Sequence, residues 1–177
     1  YTGDGASSRA ITGVGFAPTT TWAKSNGSSN GFVLDRPRGN TSAYNLKGMF
    51  SADAEQETDH STQIKSQDAD GFTVGSGDVN ASSVVIQAFC WKTSSITPVT
   101  NTDGDIDSEV CANQDAGYSV LTWTGDETSG QKIGHGLSSP PEIVITKACT
   151  SSSMDYIVNV SNVSGTVNEY LIRNSTA

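Results

Sequence analysis

A chain of 177 residues suits one sandwich-sized domain or two small ones. Its net charge is −9 and its ten basic residues are scattered, which excludes a clustered phosphate-binding surface and with it a nucleic-acid partner. Hydrophobic residues make up only 34%, 25 Ser, 20 Thr, 18 Gly and 11 Asn fill 74 positions, and no run approaches the roughly 18 apolar residues of a membrane span.

The chain opens at Tyr1 inside what reads as a strand, without an initiator Met, so a removed signal peptide or a fragment is expected. Gly13-Val14-Gly15-Phe16-Ala17-Pro18 leads into an extended run through Thr19-Thr20-Thr21 and Trp22-Ala23-Lys24. Residues 51–65 hold some good helix formers but no apolar residues at 3.6 spacing, which predicts a long surface loop with at most one helical turn. Residues 71–75 and 82–91 read as the strands that close a first unit. Residues 93–116 are polar, with Pro98 and a cluster of aspartates, and read as a connector. Residues 117–123 alternate, with Tyr118, Val120 and Thr122 on one face and Ser119, Leu121 and Trp123 on the other. Residues 142–147 and 156–160 are β-branched runs bounded by Pro or Ser clusters. Together with Val84-Val85-Ile86, these runs separate the chain from disordered sequences. The predicted class is all-β.

An internal repeat organises these segments. Tyr1-Thr2-Gly3-Asp4, Gly13-Val14-Gly15-Phe16, Pro18 and Trp22-Ala23-Lys24 are echoed by Trp123-Thr124-Gly125-Asp126, Gly134-His135-Gly136-Leu137, Pro140-Pro141 and Ile145-Thr146-Lys147. The offset of roughly 120 residues is too long for a solenoid or propeller repeat and suits duplicated sandwich units. The expected organisation is a first unit at 1–95, a polar connector at 96–116 and a second, incomplete unit at 117–177.

The strings YTGDG, ITGVGFAP, GFVLDRPRG and DADGFTVGSGDVNASSVVIQAFCWK resemble the duplicated, concanavalin- or LamG-like β-sandwich domains of virion proteins from aquatic bacteriophages. NTDGDIDSEVCANQDAGYSVLTWTGD, GQKIGHGLSSPPEIVITK and EYLIRNSTA are similar to the next unit of the same proteins. The resemblance implies an antiparallel β-sandwich of jelly-roll type, here one complete and one partial repeat, carried on tail fibres and appendages. It supplies no catalytic residues. Thr19-Thr20-Thr21 stands where many members are apolar, so that strand is expected to be more exposed. The second unit lacks a counterpart of residues 71–92, and the first lacks one of residues 117–122. Missing strands leave unpaired backbone groups and bare apolar surface. Either the units share one sandwich, or a neighbouring copy donates a strand, giving head-to-tail assembly.

The expected function is therefore a non-enzymatic structural subunit, at an extracellular or virion surface, whose partners are copies of itself. Two alternatives stay open: a glycosylated subunit of a non-viral extracellular filament joined by donated strands, and a carbohydrate-binding adhesin. Sequons stand at Asn26, Asn40, Asn80, Asn159, Asn162 and Asn174, and Thr19–Thr21 and Ser151–Ser153 are hydroxyl clusters for further glycan. Trp22, with Tyr44 behind it, is the candidate for stacking on a sugar, against a core-packing reading. Of three cysteines at least one is unpaired, and Cys90–Cys111 is the candidate disulfide. Asp103, Asp105 and Asp107 alternate as in a calcium loop, but Gly104 falls fourth where such a loop needs glycine sixth. A solvated turn is the first reading there. Glu55, Glu57, Asp59 and His60 read as a charged loop, and Gly134-His135-Gly136 as a tight backbone path. No cofactor is expected.

Overall fold

The computed structural model describes residues 1–27, 31–38, 47–50, 58–59, 61–150, 156–160 and 170–173. It is all-β and antiparallel. The strands in chain order are β1 (Arg9–Thr12), β2 (Thr20–Ser25), β3 (Phe32–Asp35), β4 (Lys47–Phe50), β5 (Thr58–Asp59), β6 (Ile64–Asp68) and β7 (Gly71–Val74). After a single 3-10 turn at Asp78–Asn80 come β8 (Ile86–Trp91), β9 (Val99–Asn101), β10 (Ser108–Asn113), β11 (Tyr118–Trp123), β12 (Ile143–Thr146), β13 (Tyr156–Val160) and β14 (Tyr170–Arg173).

A five-stranded sheet, ordered β5-β4-β3-β2-β8, faces a three-stranded sheet, β1-β7-β6. Alternation along each strand selects the inner face. Ala23, Phe32, Leu34 and Ile86 come from the larger sheet and meet Ile64, Phe72 and Val74 from the smaller, with Val79 of the 3-10 turn between them. Phe32 fits because Gly48, which pairs with Leu34 on the neighbouring strand, has no Cβ, and one built there would strike the Phe32 ring. The Tyr1 hydroxyl donates to the Val79 carbonyl, and the Tyr1 ring sits edge-on to Phe72 at 6.3 Å. These two sheets form a β-sandwich.

The threonine run is not exposed. Thr19, Thr20 and Thr21 are buried, and two of the three hydroxyls find partners inside: Thr19 Oγ1 lies 2.6 Å from Thr93 Oγ1, and the Tyr118 hydroxyl donates to Thr20 Oγ1 at 2.7 Å. Within residues 51–65, the described part contributes strand residues Thr58–Asp59 and the start of β6 at Ile64. Residues 93–116 hold more than polar turns. They supply β9 and β10, which with β11 form the sheet β11-β10-β9, and Val110 and Cys111 of β10 are buried.

The third small sheet is the meander β12-β13-β14. It parallels β2-β3-β4 in order and direction, with pairings such as Ile143↔Val160 and Tyr156↔Arg173 answering Thr20↔Asp35 and Phe32↔Phe50. The segments before the two meanders also coincide locally. Asp4 Oδ1 accepts the Ala6 amide at 2.9 Å and Asp126 Oδ1 accepts the Thr128 amide at 2.9 Å. Five residues further on, Arg9 pairs with Asp4 (3.5 Å) and Gln131 donates to Asp126 (3.1 Å). Gly5 has φ +73° and Glu127, at the matching place, φ +65°.

Contacts join the two regions around the turn after β3. Arg38 is buried and pairs with Asp35, its Nη2 2.6 Å from Asp35 Oδ2. Thr122 Oγ1 donates to the Pro37 carbonyl (3.4 Å). Burial alone would lower the Arg38 pKa, but the charge and hydrogen bond of Asp35 more than offset this and hold it above its ordinary value.

Candidate functional site: two open sheet edges

β2 has a strand on either side. β3 lies on one edge, and β8 on the other runs antiparallel from Thr20↔Trp91 to Ser25↔Ile86. β12, in the corresponding place of its meander, pairs with β13 alone among the described residues and ends its sheet there. The side chains register the difference: Thr20 and Thr21 are 7% and 0% exposed, whereas Ile143, Val144 and Ile145 are 59%, 41% and 55% exposed. Three consecutive aliphatics on an edge strand present bare surface on both faces beside an unfilled backbone ladder. The sequence Ile143-Val144-Ile145-Thr146 carries no charge of the kind that usually blunts such an edge.

β8 also ends its sheet. Its outer edge is filled at one end, where Tyr1 and Ile86 exchange bonds (Tyr1 N to Ile86 O 3.0 Å, Ile86 N to Tyr1 O 2.7 Å) and Gly3 N donates to Val84 O (2.7 Å). Ala88 and Cys90 point the same way by strand alternation, and no backbone bond reaches them on that side among the described residues.

The outer face of the large sheet carries a run of rings. Trp22 lies 6.5 Å from Phe89, Phe89 is stacked on Trp91 at 6.1 Å, and Trp91 on Tyr118 at 5.8 Å. Phe89 is 47% exposed, Trp22 half-buried, and Tyr44 lies outside the described residues. Trp22 is therefore the start of an aromatic run rather than an isolated platform. Burial pushes the Tyr118 phenol up from its ordinary pKa.

Among the sequons, Asn26 and Asn159 are exposed, and Asn40, Asn162 and Asn174 lie outside the described residues, as do Ser151–Ser153. Asn80 is fully buried. Its side chain bonds the Asp4 carboxylate (3.0 Å) and the Ala6 carbonyl (3.1 Å), so the folded chain does not offer it to a glycan. None of the three cysteines is in a disulfide, and the Cys90–Cys111 bridge does not form. Cys90 stands on β8 opposite Thr21, and Cys111 on β10 opposite Val120, in different sheets. Burial, then the nearby Asp35 carboxylate, pushes the Cys111 thiol up to about 11.

The Asp103–Asp107 stretch is used as a latch. Asp105 Oδ2 accepts the Lys132 amide (2.8 Å), Asn101 Oδ1 accepts the Asp103 amide (2.8 Å), and Ile106 bridges Ile133. Among the described residues no three His, Cys, Asp or Glu side chains converge as a metal site would require. Of the acidic loop, residues 55, 57 and 60 and the Asp59 side chain lie outside the described set. His135 Nδ1 accepts the Leu137 amide (3.1 Å) within its own turn. A cleft of about 400 Å³ lined by Ser94, Ala112, Gln114, Asp115 and Gly136 offers one ionisable side chain, so it assembles no acid–base pair.

Against known proteins, one comparison is positive. The model of a family described as a domain of unknown function, DUF7483, matches residues 1–177. The chain belongs to that family. No curated protein and no solved structure matches it. Sequence reasoning missed the exposure of β12, since Ile143-Val144-Ile145 reads equally as a strand buried on both faces. The spacing of Phe89 and Trp91, two apart on one strand, was the available signal for the aromatic run.

Proposed function

We propose that this domain is a non-enzymatic structural subunit of an extracellular or virion assembly, joined to its neighbours through β-strand edges. The observation that carries the reading is the uncharged, exposed Ile143-Val144-Ile145 edge of β12. Monomeric proteins avoid such edges because they template pairing with another chain. The resemblance to duplicated sandwich domains of phage fibres and appendages supports the virion setting, and a surface of net charge −9 keeps such a component soluble. Electron microscopy of the concentrated protein tests the reading. Threads or rings are expected, and a field of uniform single particles refutes it.

The run Trp22–Phe89–Trp91–Tyr118 favours a second reading, glycan binding, since exposed rings stack on sugar faces. In that case Phe89→Ala abolishes saturable retention on a glycan array. Mutual stacking occupies much of the ring faces, which places this reading second.

A further inference from the structure

Resting on the assembly reading above, we infer which strand fills β12: the open half of β8 in a second copy of the chain, added antiparallel, so that copies join head to tail. The first unit is the template. β2 matches β12 in its meander, and the strand that completes β2 is β8, paired antiparallel over six residues. What β12 requires is thus a strand of the same kind. β8 has such an edge to give. Beyond Ile86 its outward groups at Ala88 and Cys90 meet no backbone partner among the described residues.

The chemistry of the two strands agrees. In a chain of net charge −9, neither Ile143–Thr146 nor Ile86–Trp91 contains a charged residue. Like charges therefore do not face one another when the strands pair. Of the eight exposed large apolar side chains among the described residues, five lie at these strands, Ile143, Val144 and Ile145 on β12, Phe89 on β8 and Val85 just before it, and three, Ile96, Val99 and Trp123, lie elsewhere. Pairing would cover both sets and satisfy both ladders in one step. Because the β12 edge and the β8 edge are different surfaces, the contact is heterologous. Each added copy leaves one of each edge free, and growth continues until the ends meet or a partner caps it.

Sedimentation velocity on the whole chain, with two single-ended variants, decides the matter. Ile145→Lys places a charge on the β12 edge. Ala88→Pro removes an outward amide of β8, a position where an edge strand accepts proline. Far-UV circular dichroism and melting establish that each variant folds. If Ala88→Pro does not fold, Phe89→Lys replaces it, since that side chain is on the outer face. Wild type is expected to form a ladder of species that lengthens with concentration, and each variant alone to remain monomeric. An equal mixture of the two is expected to stop at a one-to-one pair, because only one good edge of each kind remains. Wild type that stays monomeric overturns the assembly reading and this inference with it. Association that persists in either variant alone, as dimers or longer, overturns the head-to-tail inference while assembly stands.

Discussion

Among the described residues β2 has a strand on both sides and β12 on one, although both open the same kind of three-strand meander. The first meander lies against β1-β7-β6, and its inner residues Ala23, Phe32 and Leu34 are buried. The second shows its aliphatics to solvent. Similar local sequence logic thus gives a closed core in one region and an open edge in the other. The neighbours decide which, because a strand's second edge and second face are filled by elements distant in sequence.

The largest effect is expected in the turn after β3, beside the first meander. Arg38→Ala leaves the Asp35 carboxylate buried without its cation and should cost about 3–5 kcal/mol, read as a shift in the urea midpoint. If the loss is negligible, the Asp35 carboxylate is reached by water despite its burial. A matched pair of truncations sharpens the contrast between core and edge. Phe72→Ala removes a buried ring and should cost about 3–5 kcal/mol, whereas Ile145→Ala, measured on monomer, should stay within about 0.5 kcal/mol. Equal losses would mean that β12 is as enclosed as the first core.

The sequence displayed individual strands better than the contacts between them, for a physical reason. Period-two alternation located β11, and β-branched runs located β12 and β13, because those signals are local. Burial of Thr19–Thr21 was not legible, since it depends on Thr93 and Tyr118 reaching back across 74 and 98 residues. β9 and β10 hid in a polar stretch because their cover comes from other elements and their side chains are mostly small. The Thr-Gly-Asp and Gly-x-Gly landmarks look alike in sequence, but the two glycine pairs serve different needs. Gly13 and Gly15 take φ of +88° and +85° and donate their amides to Asp70 (3.1 and 2.6 Å). Gly134 instead lies where a Cβ would strike the Asn101 side chain, and its carbonyl accepts Ser108 Oγ (2.6 Å).

A smaller effect tests the seam between β11 and the large sheet. Tyr118→Phe removes the bond to Thr20 and should cost about 1 kcal/mol. The same seam sets an alkaline limit. Burial raises the folded pKa of Tyr118, and that of Cys111 from 9.0 to about 11. Stability from these groups is complete below their unfolded values and drains as pH rises, for Cys111 between about 9 and 11. The melting temperature should fall across that window, less steeply in Cys111→Ala. A flat profile in wild type would place the thiol in water. The smallest effect compares the two Thr-Gly-Asp turns. Glu127 holds the positive φ that Gly5 holds in the first unit, so Glu127→Gly should stabilise by about 1 kcal/mol, visible as a raised melting temperature. A loss instead would mean that Glu127 earns its conformation through its side chain.

The buried amide of Asn80 has a consequence for how the molecule could be processed. Once the opening segment has closed over Asp4 and Ala6, an oligosaccharyltransferase has no route to that sequon. In a compartment that modifies nascent chains, the enzyme and the closing sandwich would race for the same nitrogen. Sugar found at Asn80 would then mark molecules whose opening segment never docked, and its absence beside modified Asn26 would mark those that closed in time.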